Sequence, residues 1–177
     1  MKKFISFILI LPVLCLFVLG LLLLSPRIID AINLKLIASP EDVLNRFYTE
    51  QDLAVDQVTD SLILGGTRMV PLLERKILNK ETPRRIYAIY ALSDIGNNDS
   101  IPSLESILQD KNEKENYRVA ALLAIAKINL PYAQKIASEY LNDTTNIARY
   151  SYKVQNSDLH VLLEKRSYWD AFFHWHY

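Results

Sequence analysis

Residues 84–110 read RRIYAIYALSDIGNNDSIPSLESILQD, and residues 117–143 read YRVAALLAIAKINLPYAQKIASEYLND. The two stretches say nearly the same thing. Arg85 aligns with Arg118, Ala88 with Ala121, Ala91 with Ala124, Ile95 with Ile128, Leu108 with Leu141 and Asp110 with Asp143, all 33 residues apart. A period in the low thirties marks stacked helical units, each of which needs its neighbours to bury its apolar face. In the earlier copy Ile86, Ala88, Ile89, Ala91, Leu92 and Ile95 mix i+3 and i+4 steps, which gives a wide apolar face. The alanines let neighbouring helices approach closely.

Working outward, Gly65 and Gly96 are 31 apart, as are Pro71 and Pro102. Residues 52–79 therefore read as an earlier, divergent unit, with a first helix over 52–64. A weaker fourth unit starts at Asn142, with Ile147, Ala148, Tyr152 and Val154 as its apolar positions and a second helix over 158–166. In each of the first three units a proline (Pro71, Pro102, Pro131) enters the second helix near its start, where the free N–H groups have no intrahelical partner to lose. Before the repeat, Ser39-Pro40-Glu41-Asp42 reads as a helix start, with Ser39 as cap and the acids complementing the dipole.

The pattern R-x-x-A-x-x-A-L-x-x-I-G (Arg85 to Gly96) followed by I-P-x-L-x-x-x-L-x-D (Ile101 to Asp110) resembles HEAT repeats, in particular the short HEAT-like class also found in phycobilisome lyases. The next unit departs from it with Asn129 for Gly and Leu130-Pro131 in the turn. The resemblance covers about 79–143 well and 52–78 and 144–166 loosely. It implies an all-α, right-handed solenoid of about four helix pairs, a protein-binding role and no catalysis. A second role implied by analogy is that of a lyase-like or ligand-handling enzyme, but no pocket acid or nucleophile can be named for it. An acid closing one unit is expected to bond the arginine opening the next: Asn79 (in place of Asp) with Arg85, Asp110 with Arg118, and Asp143 with Arg149. Planar two-pronged pairing favours arginine there, and the ladder reads as structural.

A partner surface is expected on the second helices, where Glu74 and Glu105 stand 31 apart and Ser138 follows in register. Tyr87, Tyr90, Tyr117, Tyr150 and Tyr152 add aromatic area on the first helices. Twenty basic residues balance twenty acidic ones, so no net field recruits nucleic acid. No Gly-rich phosphate loop, G-x-S-x-G, H-E-x-x-H or C-x-x-C is present. No cofactor is expected. The histidines His160, His174 and His176 include a His-x-His pair, which faces one way only on an extended chain; metal binding is not expected. The one cysteine, Cys15, excludes a disulfide framework.

Cys15 lies in an apolar run from Phe4 to Leu24 that carries no charge over 21 residues, a length that suffices to cross a bilayer. The run is longer than a signal core and lacks a small-x-small exit, so a retained anchor is favoured over a cleaved signal. Acylation of Cys15 would need a small residue where Leu14 stands. Lys2 and Lys3 then predict a single-pass protein with its N-terminus cytoplasmic and its repeat domain outside, periplasmic if bacterial. The expected organisation is an anchor at 1–25, juxtamembrane and capping helices at 26–51, the repeat domain at 52–167 and an aromatic tail at 168–177. The tail, YWDAFFHWHY, reads as a cap on the last unit, with membrane or partner contact as the alternative. The whole reads as a membrane-attached, non-catalytic scaffold or adaptor for a protein partner. An envelope-structural role with a lipid-contacting tail is the remaining alternative.

Overall fold

Pro71, Pro102 and Pro131 each stand in the first turn of a helix, where a missing N–H costs nothing. They mark the second helices of three successive pairs. The computed structural model describes residues 14–20, 25–50, 57–159 and 164–174. After a helical stretch at 14–20, its helices are α1 (Ser25–Ile32, continued by a π-helical turn over Asn33–Ile37), α2 (Pro40–Thr49), α3 (Asp60–Gly65) and α4 (Val70–Leu78). There follow α5 (Arg85–Ile95), α6 (Ile101–Gln109), α7 (Glu115–Ile128), α8 (Leu130–Ala137), α9 (Asn146–Gln155) and α10 (Tyr168–His174). The described residues form no strand: this is an all-helical repeat with the form of an α-solenoid.

Local signals place the elements. Ser39 accepts the Asp42 N–H at 3.1 Å while Asp42 accepts from Ser39, a capping box that starts α2. Arg46 of α2 then grips Asp30 of α1 with two bonds of 2.7 Å. Gly66, at φ +70°, supplies the turn after α3. At Gly96 the need is space, since a Cβ would lie 2.5 Å from the Leu92 carbonyl oxygen.

The core runs the length of the stack. Helix α7 buries Val119, Ala120, Ala121, Leu122, Ala124 and Ile125, so it is apolar on nearly every side. It lies against α5, α6, α8 and α9. The first helices α5, α7 and α9 pack directly on one another, the alanines permitting close approach. Between the second helices α6 and α8, the Tyr132 O–H donates to Glu105 at 2.8 Å.

Three sequence expectations need correction. Among the described residues no helix is long and apolar enough to cross a membrane. The described part of the apolar run is helical over 14–20, which at 1.5 Å per residue spans about 10 Å against a hydrocarbon core of about 30 Å. The single-pass assignment, with a cytoplasmic N-terminus and an extracytoplasmic repeat domain, is therefore withdrawn; residues 1–13 and 21–24 lie outside the described residues. In the first unit, 57–59 form a turn and helix α3 occupies only Asp60–Gly65, while 51–56 lie outside the described residues.

The third correction concerns the C-terminus. The fourth unit has its first helix, α9, but 157–159 form a turn and 164–167 are not helical, with 160–163 outside the described residues. Residues 164–167 instead run back along the stack as a strap. Lys165 Nζ donates to the Gly96 carbonyl at 3.3 Å, and the Arg166 N–H donates to Asp94 at 2.7 Å. The Arg166 guanidinium meets Asp60, which is 0% exposed, at 2.6 Å. Helix α10, capped by Ser167 and Asp170, then seats Ala171 in the core and packs on α3. The tail covers the first unit, not the last.

Candidate functional site

A trough runs along the first helices. Helix α7 forms its floor, and α5 and α9 form its walls. One part, of about 530 Å³, is lined by Ile86 and Tyr90 of α5, Val119, Ala120 and Leu123 of α7, and Asn146, Arg149 and Tyr150 of α9, with Glu115 and Asn116 at its rim. A second part, of about 350 Å³, shares Tyr90, Ala120 and Leu123 and continues to Ser93, Ala124 and Lys127. The shared residues make the two parts one channel. Tyr90 stands 41% exposed in the middle of it. Burial holds its phenol above the usual range, and the nearby Tyr87 and Tyr150 add to the shift. Glu115 accepts the Asn146 N–H at 2.7 Å and so caps the start of α9. Lys127 is neutralised by Asp94 at 2.7 Å, the same carboxylate that holds the strap.

The arginine ladder exists, but none of its three expected pairs forms. Arg85 donates backward to the Ile77 carbonyl at 2.5 Å and forward to Glu113 at 2.6 Å. Both side chains of that ion pair are buried, at 2% and 4% exposure, and the Tyr117 ring lies 4.9 Å from the guanidinium. Asn79 instead accepts from the Glu81 N–H within its own turn. Arg118 repeats the pattern, bonding the Leu108 carbonyl at 2.9 Å and lying 3.9 Å from Asp143. Asp110 turns outward to Lys80 at 2.6 Å and to the Asn112 N–H. Asp143 accepts from the hydroxyl and N–H of Thr145, which hold its carboxyl below the usual range, with Arg118 and Lys111 adding to the effect. Each arginine thus caps the helix behind it and reaches an acid in the loop ahead. Arg149 does neither, and is exposed on the wall of the trough.

The second-helix column is less regular than the sequence suggests. Glu74 and Glu105 each follow their proline by three residues, and on α8 that position is Gln134, not Ser138. The register slips because Asn129 alone joins α7 to α8, its side chain capping the Tyr132 N–H, where the previous unit has a 3-10 turn over Asn98–Ser100. Glu105 is engaged by Tyr132, Gln134 is bonded to the carbonyls of Val154 and Gln155, and Ser138 bonds the Lys135 carbonyl of its own helix. Neither part of the trough opens on Glu74, Glu105 or Ser138. A separate polar hollow of about 640 Å³, lined by none of the three, lies at the loop ends between Arg118 and Thr145.

Among the described residues no group of His, Cys, Asp and Glu could hold a metal ion; His160 and His176 lie outside them. The sequence flagged Tyr90 and Tyr150 as first-helix aromatics, but gave no sign that Ile86, Val119, Leu123 and Arg149 would meet around them. Such a trough arises from three helices 30 or so residues apart, and no local spacing encodes it.

No curated protein and no solved structure matches the chain significantly. The model of one family, the vitellogenin TPR domain, matches residues 37–149, more than half of the chain. That span runs from the end of the π-helical turn into α9 and takes in both strong repeats and the lining of the trough apart from Tyr150. It agrees with the sequence reading on a helical repeat and differs from it on the kind of repeat. The chain belongs to the vitellogenin TPR domain family.

Proposed function

We propose that this chain is a non-catalytic scaffold, built on HEAT-like units, that binds a partner protein in the first-helix trough. The observation that carries this reading is the channel itself. It is apolar along its floor, edged by tyrosines and open over three successive first helices. Helical repeats stack into extended surfaces of this kind, and such surfaces serve binding. Concave sites with an apolar lining and few polar groups are the usual places for recognition. The absence of a catalytic motif in the sequence favours binding over the lyase-like alternative.

The test places a photo-crosslinking side chain at Tyr90, and separately at Glu74, in the full-length chain in cells that make it. A single protein adduct at Tyr90 that Leu123→Lys removes, with the helical circular dichroism unchanged, supports the trough. An adduct at Glu74 alone moves the site to the second helices. No protein adduct at either position overturns the scaffold reading.

A further inference from the structure

We infer that the occupant of this trough is an amphipathic helix of the partner protein, about three turns long, carrying an acidic side chain against Arg149. The inference rests on the scaffold reading and names what that scaffold recognises. Length comes from the floor. Between Asn116 and Lys127 helix α7 rises about 17 Å, which three turns of helix would span.

Backbone chemistry selects a helix over an extended segment. An extended peptide needs an open strand edge to satisfy its N–H and C=O groups, and the described residues offer none. A helix satisfies its own backbone and needs only a groove for its side chains. The walls α5 and α9 stand on either side of the α7 floor, as ridges do beside a groove between packed helices. Ile86, Val119 and Leu123 then demand an apolar stripe at i, i+3, i+4 and i+7 on the partner.

Charge supplies the remaining constraint. Glu115 already accepts from the Asn146 N–H, and Lys127 is already paired with Asp94. Arg149 is exposed on the α9 wall and bonds no described side chain or carbonyl. Among the described residues it is the channel's one cation without an ion-pair partner, and its planar fork suits a carboxylate; the Glu115 carboxylate at the rim keeps its own charge, since a backbone N–H does not neutralise it. An acid near one end of the partner helix would meet it and fix the helix direction.

The experiment selects a displayed library of 15-residue helices, randomised on all faces, against the full-length protein. Enriched helices are expected to carry the apolar stripe and a Glu or Asp at one fixed end. Arg149→Glu should weaken them about tenfold, and exchanging that acid for Arg in the peptide should restore binding to the variant. Helices that need the trough (lost on Leu123→Lys) but show no acidic preference and ignore Arg149→Glu overturn the inference and leave the scaffold reading standing. The inference also falls, and the scaffold reading again stands, if no helix is enriched while the Tyr90 protein adduct persists. Loss of both the helices and the adduct removes the scaffold reading as well.

Discussion

Arg85 and Arg149 open two units of the same repeat, yet their surroundings are opposite. Arg85 is buried between the Ile77 carbonyl and Glu113, while Arg149 is exposed on the wall of the trough. The difference follows from position in the stack. A ladder arginine needs an acid from the loop that ends its own unit, and Arg85 and Arg118 both find one. Beyond α9, residues 157–159 turn and 164–167 run as the strap, and no described residue there gives Arg149 an acid. The residue that holds the stack together inside is left exposed on α9.

The contrast breaks most sharply at Arg85. Arg85→Met leaves Glu113 buried without its partner and the Ile77 carbonyl without its cap, so a loss of about 3–5 kcal/mol is expected. Urea unfolding monitored by circular dichroism measures it. A loss under about 1 kcal/mol would mean that the pair contributes nothing beyond its own desolvation. Adding Glu113→Leu to that variant should recover much of the loss, because the unpaired charge goes with it.

Arg166 tests the same chemistry supplied from the far end of the chain. Asp60 is fully buried and Arg166 partly exposed, so Arg166→Ala should cost about 2–3 kcal/mol. It should also free α10, making the tail more sensitive to protease than α7 is. If protease cuts the tail no faster than in the parent, the strap is held by something other than this ion pair.

Arg118 is intermediate. Its bond to the Leu108 carbonyl is of ordinary length at 2.9 Å, but Asp143 lies 3.9 Å away and is 24% exposed. Arg118→Met should therefore cost about 1–2 kcal/mol, less than Arg85→Met in the same assay. The acid limb sharpens this further. Asp143 binds its proton less readily folded than unfolded, so its contribution is complete above the ordinary carboxylate range and is lost as pH falls below about 4. Thr145→Ala removes the leading cause of that shift, and should flatten the fall in stability measured below about pH 4.

The repeat was legible because identical residues recur at a fixed interval, and Ser39 and Pro40 announced the start of α2 by chemistry alone. The pairing of the ladder was not. Reading along the chain joins Arg85 to Asn79 nearby, whereas its guanidinium reaches Glu113, 28 residues on. Ser138 was misplaced because the turn before α8 shrank to Asn129, and a constant period cannot register a change in turn length. Helical spacing puts Trp169, Phe172, Phe173 and His176 on one face of the tail, but the face that packs inward is Tyr168, Ala171 and Phe172, with Trp169 and Phe173 exposed, and neither that face nor its destination was legible. Thr59 and Arg166, which meet beneath it, are 107 residues apart. The trough needed all three first helices in place before it existed.

The smallest expected effect is the one that best protects the contrast between the two arginines. Arg149→Ala removes an exposed side chain that caps no helix and bonds no described residue, so stability should change by less than about 0.5 kcal/mol. A null result has value only beside its counterpart, so Arg85→Ala and Arg149→Ala belong in one denaturation series with shared baselines. If Arg149→Ala destabilises as Arg118→Met does, the last arginine is still a rung, and its place on the trough wall is a by-product of holding α9. If it is silent in stability and its loss weakens the selected helices, the same repeat position has been divided between two tasks. Structure and recognition would then differ at this position by one neighbouring loop, which is the step a stacked repeat can most readily gain or lose.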